Sequence, residues 1–128
     1  QEDGTVWFAC QNQADQTMPV PLAGSVDVNS NVRMLDLPDG DWAKLRGYVG
    51  SIACSSDGQR VVVTSPRGGV ALDINTARQS IMKAHYSPDV CGVSVHGGSL
   101  LLTSGVGNVG GQSHNISFDN HVSAFRMG

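Results

Sequence analysis

The chain has 128 residues and a formal net charge of −3, from 8 Lys and Arg against 11 Asp and Glu. That is room for one domain, and the charge is too mild to point to nucleic acid or an anionic membrane as the partner. Only 15% of residues are charged and 40% are hydrophobic, the reverse of a disordered chain, and no apolar run is long enough to cross a bilayer.

The residue types favour strands. Val and Gly number 16 each, whereas there is one Glu, Glu2, and there are two Lys, Lys44 and Lys83. Solvated helix faces are usually written with Glu and Lys, which lose little rotamer freedom there. Val suits a pleated, half-buried surface.

From the N-terminus, Asp3-Gly4 is a tight turn, and Val6-Trp7-Phe8-Ala9 is the apolar strand that follows it. A hairpin turn without its first strand reads as a truncated repeat unit. Gln11–Asp15 and Asp39–Tyr48 are expected to be loops. Tyr48–Cys54 then begins a nearly complete unit, with the Asp57-Gly58 turn, a second strand over Arg60–Thr64 and the loop Pro66–Gly69. A third strand follows at Val70–Ile74, then the turn Asn75-Thr76 and a fourth strand over Arg78–Lys83. Val90 to Ser104 repeats the opening of that unit as strand, Gly97-Gly98 turn, apolar strand and Thr-Ser. Asp-Gly and Gly-Gly supply the positive backbone angles of tight hairpins. Gly105–Asn120 is expected to be a long loop.

Four antiparallel strands in about 40 residues make the unit of a propeller blade. The reading is therefore all-β. It is a β-propeller fragment of about three four-stranded antiparallel blades from a WD40-like or YVTN-like parent of seven blades. It divides into a partial blade over 1–38, a blade over 48–83 and a blade over 90–128. A β-sandwich and a β-helix compete with this reading, and the recurring four-strand unit favours the propeller. Val61–Val63 and Leu100–Leu102 are expected to be buried on both faces, between neighbouring blades. Ile52, Val61, Val63, Val93, Leu100 and Leu102 are expected to form the core.

In a propeller, the loops after the second and fourth strands of each blade share one face. Here those loops are the long, chemically rich ones, and functional groups concentrate on loops held by a rigid scaffold. Arg67 in Ser-Pro-Arg-Gly-Gly has a fork suited to a carboxylate or phosphate. His85, Asp89, His114, Asp119, Asn120 and His121 are the other ligand-binding candidates. A nitrogen–oxygen metal site would form if the histidines and carboxylates converged, but no pair has a metal-site spacing such as His-Glu-x-x-His, so no cofactor is assigned. His96 belongs to a turn on the opposite face. Cys10, Cys54 and Cys91 form no zinc-like pairs and read as packed thiols in or beside strands. No nucleophile elbow or phosphate loop is present.

Several segments together carry a family resemblance. They are Leu45–Ala53, Val63–Gly69, Asp89–Val93, Thr103-Ser104-Gly105 and Asp119-Asn120-His121. They resemble a bacterial family catalogued as domain of unknown function fifteen-thirteen, and look like its C-terminal part. The resemblance implies a longer, propeller-like parent exported to the periplasm. It also implies genomic company with imelysin-like iron-uptake proteins and di-haem peroxidase-like proteins. Two functions stay open. One is a binding or scaffold module in the envelope, partnered by proteins, by the remaining blades of its parent or by its own copies. The other is an enzyme or redox-accessory protein with a metal or small-ligand site on the loop face.

Overall fold

The computed structural model describes residues 3–117 and 122–123. The chain folds into three antiparallel sheets, each a meander in chain order. The first holds β1 (Val6–Ala9), β2 (Ala23–Val26) and β3 (Val32–Met34). The short helix α1 (Asp39–Ala43) leads to the second, made of β4 (Ser51–Cys54), β5 (Arg60–Ser65), β6 (Val70–Asn75) and β7 (Ser80–Tyr86). The third holds β8 (Val90–His96), β9 (Ser99–Ser104), β10 (Asn108–Val109) and β11 (Gln112–Ser113).

The second sheet is the centre of the molecule. The side chains of β5 alternate faces, and both faces are covered. Val61 and Val63 join Val70, Leu72 and Ile74 in a core shared with Leu22, Ala23, Leu35 and Leu37 of the first sheet and its flanks. Val62 and Ala71 point the other way and pack with Val90 and Val93 of the third sheet. Val61, Val62 and Val63 are fully buried, and each stabilises the fold by about 1.5–3 kcal/mol on transfer from water. Sheets stacked face to face, each a consecutive meander, make a propeller-like fragment of three blades.

Polar ties lock the blades together and explain the repeated Thr-Ser. Thr64 Oγ1 donates to Cys91 O of the third sheet at 2.6 Å. Ser65 Oγ donates to Leu45 O at 2.7 Å and accepts from Gly68 N at 3.0 Å, closing the β5–β6 loop. In the next blade Ser104 Oγ accepts from Asn108 N at 3.1 Å, the same loop-closing role. At the opposite end Arg60 grips Asp73 through Nε and Nη2 at 2.8 and 2.6 Å. Its Nη1 reaches Gly98 O in the turn of the third sheet at 2.8 Å.

Several expectations need correction. The connection over Asp39–Tyr48 is not wholly loop. It contains α1, and Trp42 of α1 and Leu45 of the turn that follows it enter the core between the first and second sheets. The stretch from Gly105 is not a plain loop either, because β10 and β11 pair as a small hairpin. The first strand begins at Ser51 rather than Tyr48, and the fourth runs from Ser80 to Tyr86 rather than over Arg78–Lys83. A bulge in the β6–β7 pairing between Asp73 and Ile74 lets β7 follow the twist of the sheet farther than a regular ladder would. Leu100–Leu102 is not buried on both faces. Leu100 and Leu102 are half-buried against the second sheet, and Leu101, on the other face, is 36% exposed with no described sheet beyond it. Ile52 is half-buried rather than sealed, and Cys10 is exposed after the end of β1 rather than packed within a strand.

Candidate functional site

The connections at one end of the first two sheets are stitched into a single surface. Asn12 N donates to Gly47 O at 2.8 Å, and Gln11 forms an isolated bridge with Tyr48. The chain leaves α1 through turn bonds from Arg46 N to Ala43 O and from Tyr48 N to Leu45 O, both 3.1 Å. Arg46 and Gly47 then take positive φ, 50° and 70°. Gly68 sits so close to this connection that a Cβ there would lie 2.1 Å from Lys44 O. A larger residue at 68 would push the two loops apart.

Between these loops lies a cleft of about 420 Å³ lined by Gln16, Thr17, Ala43, Arg46 and Arg67. Arg67 is exposed, and its guanidinium lies over the Tyr48 ring at 4.7 Å from the centroid, a cation–π contact that holds the side chain in place. Arg46 Nη1 reaches Arg67 O at 3.5 Å. Neither arginine has a carboxylate within ion-pairing distance among the described residues, in contrast to Lys44, paired with Asp41, and Arg60, paired with Asp73. Asp15, on the same loop as Gln16 and Thr17, is engaged by Thr17 through both its backbone N–H and its hydroxyl. Those bonds hold its carboxyl below the ordinary carboxylate value.

The other candidates lie apart from this cleft. His85 is on β7, not in a loop, and lines a groove of about 360 Å³ with Tyr86, Ser87, Leu100, Leu102 and Asn108, between the second and third sheets. Its Nε2 is buried without a hydrogen-bond partner, with Asp73 Oδ2 3.9 Å away, too long for a hydrogen bond. Burial pushes its pKa below the ordinary value of 6.5, aided by Lys83 and opposed by Asp73. Asp89 takes φ 54° in the turn before β8, where its carbonyl accepts from Gly105 N. Its structural role is that of a turn residue. His114 follows β11, and its backbone N–H donates to Gly107 O. Among the described residues, no three His, Cys, Asp or Glu side chains gather as metal ligands. Asp119, Asn120 and His121 lie outside the described residues. Arg46 had no place among the sequence candidates, and nothing in the sequence around it marked it.

No curated protein matches the sequence. Among solved structures, the chain is similar to the crystal structure of the WD40 domain of SCAP from fission yeast, at 16% identity and a TM-score of 0.37. That match covers 84% of this chain and 30% of the other, so the chain spans less than a third of the length of the structure it matches. The three-sheet architecture rests on the strand order and packing described above. The profile of the family described as "Protein of unknown function (DUF1513)" matches residues 1–125, and the chain belongs to that family.

Proposed function

We propose that this chain is part of a propeller that works as a binding or scaffold module in the bacterial envelope, with the loop face of the first two blades as its contact surface. The observation that carries the reading is the stitched surface itself. Loops from two sheets are bonded to one another and present exposed side chains, including two arginines without carboxylate partners among the described residues. A rigid scaffold that holds several loops at one end is the usual way to build a recognition face. The envelope location and the association with an iron-uptake locus come from the family resemblance and belong to this proposal.

The test is affinity capture from periplasmic extract with the full-length parent protein, followed by metal analysis of the same preparation. Recovery of a reproducible protein partner, released by substitutions on the loop face, is the expected outcome. Substrate turnover that requires a bound metal, with no partner recovered, would overturn the reading in favour of an enzyme.

A further inference from the structure

We infer that the cleft between the first two blades is a binding site for a small, multiply charged oxyanion, a carboxylate- or phosphate-bearing molecule held by Arg46 and Arg67. The inference rests on the loop-face reading above and names the ligand class of that face.

Three observations converge. First, both arginines line the same cleft, which has room for a small organic molecule. Among the described residues no carboxylate pairs with either guanidinium, and an anion bound in the cleft would supply that opposite charge to both. Arg60, by contrast, is forked onto Asp73. Second, Arg67 is already oriented by the Tyr48 ring. Its conformational freedom is reduced before a ligand arrives, so less ordering is left for binding to impose. Third, Arg46 occupies a left-handed backbone conformation, φ 50°, that glycine adopts without steric cost. From there its Nη1 reaches Arg67 O at 3.5 Å, which ties the two arginine-bearing loops together at the cleft. The guanidinium fork matches the paired oxygens of carboxylate and phosphate. Gln16 on the cleft wall adds an amide able to donate to one of the ligand's remaining oxygens.

Two acidic groups lie near the cleft, and neither lines it. Asp41 is paired with Lys44, and the ionised Asp15 carboxylate is turned onto Thr17. Arg46 and Arg67 are the charged groups of the cleft wall.

The experiment is amide-detected NMR titration of the full-length parent protein at low ionic strength with inorganic phosphate, succinate, citrate and a hexaglutamate peptide. The expected result is saturable shifts confined to Gln16, Thr17, Gly47, Tyr48 and Gly68, with citrate or phosphate bound more tightly than chloride. Arg67→Lys keeps the charge but loses the planar fork, and is expected to weaken binding about 10-fold. Arg46→Gly removes one cation while suiting the backbone, so its loss of binding cannot be ascribed to unfolding. Arg33→Ala, which removes a charge from β3 outside the cleft, leaves affinity unchanged. Equal weakening by all three substitutions would reduce the effect to general charge attraction and overturn the site. So would saturation by hexaglutamate alone, which would assign the arginines to an acidic protein surface, or no shift with any probe. If a captured protein partner survives Arg46→Gly and Arg67→Lys while the small anions fail to bind, the oxyanion site falls and the loop-face reading stands.

Discussion

Arg46 and Asp73 show two ways in which a charged residue can enter this fold. Asp73 is 5% exposed and both its oxygens are taken by Arg60. Replacing it with Asn leaves the guanidinium, itself largely buried, with half a partner. Asp73→Asn is expected to destabilise by about 3 kcal/mol, measured as a lower midpoint in urea with an unchanged slope. Arg46 works in the opposite direction. Its left-handed backbone costs about 1 kcal/mol in a residue with a Cβ, so Arg46→Gly is expected to stabilise by up to that amount in the same urea experiment, less the extra freedom glycine gives the unfolded chain. Gly68→Ala would place a methyl against Lys44 O, and such overpacking costs about 2 kcal/mol. The check is thermal unfolding, with loss of the amide positions around Tyr48 as the local sign. The sequence marked Arg67, because Pro and two Gly flank it in a loop. It did not mark Arg46 or the Arg60–Asp73 pair. An arginine beside a single glycine carries no pattern, and Asp73 reads as the polar step of an alternating strand until the register sets it diagonally across from Arg60.

At the level of elements, the strands were legible because Val-rich runs end at Asp-Gly, Gly-Gly and Asn-Thr turns. The helix α1 was not. Five residues containing Gly40 and two Asp show no helical period, and α1 depends on Trp42 and Leu45 docking in the core rather than on its own propensity. The end of β7 was also missed, since a bulge is invisible to period-2 reading. That error placed His85 in a loop, when it sits beside Asp73, Lys83 and Arg60 at the seam of the second and third sheets. The displacement has a consequence for pH. Burial lowers the pKa of His85 in the fold, so the unfolded chain takes up a proton first as pH falls. Stability is therefore expected to decline as pH drops below about 6.5, the unperturbed histidine value, and to level off below the folded value. Urea midpoints at neutral and mildly acidic pH should show the decline in the native chain and a smaller one in His85→Gln. The carboxylates held low by their turn bonds, such as Asp57, act in a separate window. Their contribution is present above the ordinary carboxylate value and is lost as pH falls through the folded one.

At the scale of the whole molecule, the central sheet is covered on both faces and the flanking sheets on one. The outer face of the first sheet shows Val6 and Val32 at 59% and 63% exposure, and that of the third shows Leu101 and Val109 at 36% each. Apolar sheet faces of this kind seek a covering, and the two Lys in the chain, Lys44 and Lys83, leave few charges to oppose pairing. We expect the isolated chain to associate at micromolar concentration, seen by light scattering as a mass above the 13.4 kDa of one copy. The double substitution Val32→Asp and Leu101→Asp should return it toward a monomer, and a clean monomer before substitution would show that these faces tolerate water. The ties between the second and third sheets have a different kind of consequence. Thr64 and Arg60 hold the next blade by its main-chain carbonyls, Cys91 O and Gly98 O, which every amino acid carries. A blade that grips its neighbour in this way asks for no particular side chain at the points it holds. A duplicated blade would therefore dock at once, and its sequence would be free to drift afterwards. Of the two gripping side chains the next copy carries one, Thr103 matching Thr64, while Ser99 stands at the place of Arg60.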